Sequence, residues 1–239
     1  MEQKNKLTIH QIFWYFIIFS IAGLFIETIY SYITSGTTES RKGLIWGPFC
    51  PVYGVSGAIL IIALNGYHKK RIGQLFIYGF LVGSIAEYIL SFGLESIYGM
   101  RFWDYGYIKA NLNGRICLQY SLYWGILSVI IMKLIKPLLD KLIEKIPVKP
   151  RNIIEIILFV FLVIDCIFTV WGIQTYENRV LYNKVNQKET NHIWTKIQQT
   201  IENNYFTNER ISHTFPNLRV KDKQGNEIWV HTLIKENKN

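Results

Sequence analysis

Gly23-Leu24-Phe25-Ile26-Glu27 and Gly83-Ser84-Ile85-Ala86-Glu87 repeat one pattern in two apolar stretches, and each run meets a serine four residues further on, Ser31 and Ser91. Residues four apart lie one above the other on a helix, so each stretch shows a small notch, a carboxylate and a hydroxyl along one stripe. A carboxylate in the middle of a membrane-length helix is costly in hydrocarbon and turns toward a bundle interior or a watery cavity. The pattern therefore decides the fold class, an all-α polytopic membrane protein with a polar interior. Its recurrence points to a tandem arrangement of two plus two spans with one more added. A match this short in apolar sequence also arises by chance, so duplication and coincidence both stand at this point.

Composition agrees with a membrane protein. Half of the 239 residues are hydrophobic, and charged residues make up 18%, below the roughly one quarter of soluble domains. Mean hydropathy is +0.16. A spanning helix needs about 20 mostly apolar residues, and five stretches qualify: 9–33, 47–64, 72–97, 116–135 and 153–174. The second is the shortest and holds Pro48 and Pro51, which leaves two readings, a full crossing and a re-entrant half-helix. The first is too long for a signal peptide and no small-residue cleavage site follows it, so it reads as a retained anchor.

Lys and Arg in short loops set orientation. Lys4, Lys6, Lys69, Lys70, Arg71, Lys133, Lys136, Lys141, Lys145, Lys149 and Arg151 fall on one side, against Arg41, Lys42, Arg101, Lys109 and Arg115 on the other. The amino terminus is expected inside. The net charge of +9 then reads as a topology signal beside lipid headgroups, with no nucleic-acid partner implied. Residues 137–146 place Leu138, Leu139, Leu142, Ile143 and Ile146 on one side of a short amphipathic helix. Such a helix lies in the headgroups or docks a cytoplasmic partner.

Two loops stand out on the opposite face: residues 41–54, with Arg41, Cys50 and Tyr53, and residues 101–118, with Trp103, Asp104, Asn113, Arg115 and Cys117. Their Gly and Pro density specifies tight turns, while some of their Trp and Tyr belongs to the interfacial aromatic belt. Each cysteine falls in the opening turn of the next helix. Gly-Pro-Phe-Cys-Pro-Val-Tyr-Gly at 47–54, Trp103-Asp104-Tyr105 and Asn113-Gly114-Arg115-Ile116-Cys117-Leu118 together resemble the putative ABC transporter permease family (type IV, CmpB-like), well over residues 10–135 and loosely beyond. The resemblance implies a bacterial, multi-pass protein of the cytoplasmic membrane that serves as a transport permease.

No Gly-x-x-x-x-Gly-Lys-Ser/Thr phosphate loop occurs, so an ATPase would be a separate cytoplasmic subunit. No Glu-Ala-Ala-type coupling loop is present either. Glu27, Glu87, Ser31 and Ser91 are the candidate substrate or ion site; the alternative is a pair of structural acids tied to arginine or backbone. Glu95 is expected to pair with Arg101 or Arg115. Asp104, Arg41 and Arg115 either lock the loops through arginine–carboxylate bonds or touch ligand. Asp165 is expected as a packing partner for the four-span core. The three cysteines lack metal-ligand spacing, so neither metal nor cofactor is expected; Cys50 and Cys117 are buried thiols or, if close enough, a disulfide. No nucleophile–base pairing is legible, so no enzymatic activity is expected.

The chain divides at 174/175 into a helical membrane domain, 1–174, and a tail, 175–239. Within the tail, 190–206 has amphipathic helical spacing, and Leu218–Lys221 and Ile228–His231 alternate about a polar turn as a β-hairpin. The function expected is the membrane subunit of a transport system. A non-transporting adaptor or sensor that binds a protein or envelope component is the alternative, and a membrane-embedded enzyme a weaker one. The bilayer, a separate ATPase and a second copy of the chain are the candidate partners.

Overall fold

Thr8 opens the first helix because its hydroxyl accepts the Gln11 N–H while the Gln11 side chain accepts the Thr8 N–H, a reciprocal cap that satisfies two otherwise orphaned donors. In the computed structural model, which describes residues 6–36, 38–67, 71–185, 196–221 and 227–230, this helix, α1, covers Ile9–Ser35. Gly36 ends it with φ 68°, its N–H donating to the Tyr32 carbonyl. Only glycine adopts that conformation without strain. The short helix α2 (Pro51–Leu64) follows a looped segment and runs into a single 3₁₀ turn, Asn65–Tyr67.

Helix α3 (Ile72–Tyr98) ends as α1 does, at Gly99 with φ 67° and a bond to the Glu95 carbonyl. A loop then carries a two-rung hairpin, β1 (Asn111–Leu112) against β2 (Ile116–Cys117). Helix α4 (Leu118–Ile130) passes through a π-helical turn, Ile131–Ile135, into α5 (Lys136–Glu144). The wide turn lies just before Pro137, whose ring and missing N–H disturb the helical ladder. Helix α6 is the longest, Val148–Val185. Beyond it come α7 (Lys196–Tyr205), α8 (Asn208–Thr214) and the hairpin of β3 (Arg219–Lys221) with β4 (Glu227–Trp229).

Four helices are long and apolar enough to cross a membrane, Ile9–Ser35, Ile72–Tyr98, Leu118–Glu144 and Val148–Tyr176, and Pro51–Tyr67 is a shorter apolar helix. The chain is a multi-pass helical membrane protein. Of the five stretches expected, the second is thus the shorter helix, and the fourth runs on to Glu144. The segment at 137–146 is no free amphipathic helix: it prolongs α4, and Leu139 and Ile143 are buried against Tyr15, Leu60, Leu64 and Leu75. Leu138 and Leu142 stay exposed.

Glycine sets how closely the helices pack. The pair α1–α2 closes where Gly23 meets Tyr53, Gly54 meets Phe16 and Gly57 meets Phe19; α3–α4 closes where Gly83 meets Trp124, Gly125 meets Phe76 and Gly79 meets Ser128. A Cβ at any of the six would fall within 2.8 Å of the facing residue, a contact no real side chain tolerates. Small residues at the crossing are what lets helices associate where no hydrophobic drive exists between them.

A second core lies at the other end of the helices. Ile45, Tyr98, Met100, Ile173 and Tyr176 gather with Phe206, Ile211, Phe215, Leu218 and Val230. The tail therefore sits at the same end as the loops that follow α1 and α3. Helix α6 continues past residue 174 to Val185, so the boundary read at 174/175 falls inside a helix. The hairpin pairs Arg219 with Trp229 and Lys221 with Glu227. Helix α7 takes up part of the 190–206 expectation, whose first residues, 190–195, lie outside the described residues.

Candidate functional site

Glu27 lies on the buried stripe of α1 with Ile17, Ser20, Leu24 and Ser31, opposite the exposed Phe25, Ile26 and Ile29. Tyr53, one turn into α2, donates its hydroxyl to Glu27 Oε2. It gets there because Gly23 lets the ring lie flat against α1. Arg41 comes down from the following loop: Nη2 donates to Ser31 Oγ at 2.7 Å and to Glu39 at 3.4 Å, while Nη1 stands 3.9 Å from Glu27 Oε1. Glycine, acid, serine, tyrosine and arginine thus form one cluster.

The second cluster is built likewise. Gly83 receives the Trp124 ring, whose Nε1 donates to Glu87 Oε2 at 3.1 Å. Tyr105 donates to Glu87 Oε1 at 2.9 Å. Burial, with the Glu87 charge second, pushes the Tyr105 phenol well above its ordinary value and keeps it a donor. Arg115 donates to Ser91 Oγ at 3.2 Å and to Glu95 at 2.6 Å, and its guanidinium lies over the rings of Tyr88 and Phe92. Helix α2, which carries Tyr53, packs against both α1 and α3, the helices of the two acids.

The loop residues sort into locks. Asp104 accepts from Arg101 at 3.4 Å and from Arg219 of β3 at 3.3 Å. Arg101 also donates to Glu95 at 2.8 Å, and Arg101 and Arg219 exchange backbone hydrogen bonds of 3.0 Å. Glu95 accordingly pairs with both arginines expected of it. Trp103 Nε1 donates to the Arg115 carbonyl, and Asn113, at φ 55°, donates to the Tyr88 hydroxyl. Cys50 and Cys117 are buried free thiols at the N-caps of α2 and α4, which answers the disulfide alternative. Asp165 Oδ1 accepts the Trp46 N–H at 3.2 Å and the Thr169 hydroxyl, fastening the first loop to α6.

Sequence reasoning missed Tyr105, Trp124 and Arg219. The one sequence signal points elsewhere: Gly47-x-x-Cys50-x-x-Tyr53 recurs as Gly114-x-x-Cys117-x-x-Tyr120, and both glycines sit at φ 67–68°. Yet Tyr120 does not reach the acid. The facing aromatic in α4 comes one turn later, at Trp124, and Tyr120 stacks on Tyr105 with ring centres 4.6 Å apart. Only packing, which sequence does not display, tells which of these tyrosines meets Glu87.

Membrane-length helices, glycine-closed pairs and buried carboxylates under specified loops define a polytopic helical membrane protein with a polar interior. The chain belongs to the family described as Putative ABC-transporter type IV, which matches residues 14–170 and so spans both clusters. No curated protein and no solved structure matches it.

Proposed function

We propose that the chain is the membrane-embedded permease of an ATP-driven transport system, with Glu27, Ser31, Glu87 and Ser91 lining its polar interior and the ATPase supplied by a separate subunit. The observation that carries this reading is the pair of carboxylates on inward helix stripes, Glu87 buried and Glu27 half-buried, each with a tyrosine and an arginine beside it from the same end of the molecule. Acids held inside a bundle are the usual marks of a substrate or ion path. Family membership supports the same reading. With the amino terminus inside, α2 serves as a fifth crossing, the loops and the tail from residue 175 cap the outer face, and α1–α2 and α3–α4 are tandem copies.

The inner end offers one surface for an ATPase. Leu134, Leu138 and Leu142 lie exposed at steps of four on α4–α5 beside exposed Lys141 and Lys145. Gentle-detergent purification from the native cell is expected to bring down a cytoplasmic ATPase that Leu138→Asp with Leu142→Asp removes without lowering the yield of folded chain. Leu139→Asp is no substitute, because that residue is buried in the chain's own core. Recovery of no ATPase, where a reference ABC complex survives, would contradict the permease reading. It would favour the adaptor reading, which the latch between Asp104, Arg101 and Arg219 supports.

A further inference from the structure

The two clusters differ in what they leave unused. Both Glu87 oxygens are taken, one by Tyr105 and one by Trp124, and the residue is 7% exposed. Glu27 spends one oxygen on Tyr53. Its Oε1 has no hydrogen-bond donor among the described residues, the nearest cation being Arg41 at 3.9 Å, and its side chain is 32% exposed. Glu27 shares the inward stripe of Ser20, Leu24 and Ser31. Arg41, bonded to Ser31 and Glu39 through Nη2, also leaves a donor unused, its buried Nε meeting no acceptor.

Charge differs in the same direction. Beside Glu87, the acids Glu95 and Asp104 are paired with Arg101, Arg115 and Arg219. Beside Glu27, the acids Glu27 and Glu39 share one arginine among the described residues, Arg41.

We infer that Glu27 is the binding acid of the pair and takes a monocation headed by an ammonium group, Glu87 being its structural counterpart. This rests on the transport reading above and names the cargo's charge and contact. An ammonium has three donors, and Glu27 Oε1, the Tyr53 hydroxyl and the Ser31 hydroxyl supply three acceptors. Arg41, which bonds Ser31 and faces Glu27, stands where that ammonium would sit and moves aside when it enters. Bare metal cations require more oxygen ligands than this, and among the described residues no group of three His, Cys, Asp or Glu comes together.

Dicyclohexylcarbodiimide, a hydrophobic reagent for carboxyl groups within membranes, tests this on the purified full-length chain with adducts mapped by mass spectrometry. The expected adduct is on Glu27 with little on Glu87, and Glu27→Gln removes it. Ethylammonium chloride is expected to slow Glu27 labelling at least about fivefold once most sites are occupied, equal potassium chloride is not, and Ser31→Ala weakens the protection. Equal or faster labelling of Glu87 would overturn the inference, as would protection by potassium or by neither salt. Protected Glu27 in a chain that brings down no ATPase would keep the site and remove the transport reading. A co-purifying ATPase with unprotected Glu27 would do the reverse.

Discussion

The α1–α2 and α3–α4 pairs share a frame and differ in how tightly it is closed. Phe16, Gly23, Glu27 and Ser31 occupy the places of Phe76, Gly83, Glu87 and Ser91, and Tyr53, Gly54 and Gly57 those of Trp124, Gly125 and Ser128. The difference arises at one helix start. Between its N-cap cysteine and the aromatic residue that meets the acid, α4 has one turn more than α2. That turn moves Tyr120 away from Glu87, and Tyr105 from the loop takes the vacant place. Glu87 thereby gains two donors where Glu27 has one. One acid motif thus recurs with both carboxylate oxygens bonded in one copy and one in the other.

The shared frame breaks most severely at the notches. Gly83→Leu is expected to cost about 3 kcal/mol or more, because the added atoms have no room beside Trp124. Gly23→Leu should cost a similar amount against Tyr53. Thermal unfolding in detergent measures both, and a tolerated Gly23→Leu would show that the first pair is not closed as the second is.

The difference between the pairs is sharpened by removing the acids. Glu87→Leu strands the Tyr105 and Trp124 donors and is expected to destabilise by about 2–5 kcal/mol, whereas Glu27→Leu strands only Tyr53, at about 1–3 kcal/mol. Activity should rank the other way, with Glu27→Gln losing cargo-dependent ATP hydrolysis in the assembled complex and Glu87→Gln retaining more of it. Asp104→Ala comes next. It removes the carboxylate shared by Arg101 and Arg219 at about 1–3 kcal/mol, and limited proteolysis should then cut the tail sooner than the helices. The smallest effect is expected from Tyr53→Phe and Tyr105→Phe, about 0.5–1.5 kcal/mol each, with Tyr120→Phe below both.

Much of this frame was legible before any coordinates. Hydropathy located the long helices, and the spacing of glycine, glutamate and serine put Glu27 and Glu87 on inward stripes, because helical periodicity is a local property. The place of Glu95 near the end of α3 offers Arg101 or Arg115 as its partner, and the structure uses both. What stayed hidden depends on contacts distant in sequence. Nothing local says that Arg219 reaches Asp104, or that Tyr105 rather than Tyr120 bonds Glu87. The π-helical turn before Pro137 likewise turned an expected surface helix into an extension of α4, which buries Leu139 and Ile143. A proline after an apolar run looks like a helix end, and only packing against Tyr15 carries the helix through.

Accessibility at the two acid positions tests the central contrast most directly. In a variant lacking the native cysteines, Glu27→Cys and Glu87→Cys would be reconstituted separately in vesicles and exposed to a small membrane-impermeant thiol reagent. The residue at 27 is expected to react from the side of the loop that carries Arg41, while the residue at 87 stays unreactive beneath Tyr105 and Trp124. Equal reactivity, or reaction at 87 alone, would contradict that contrast.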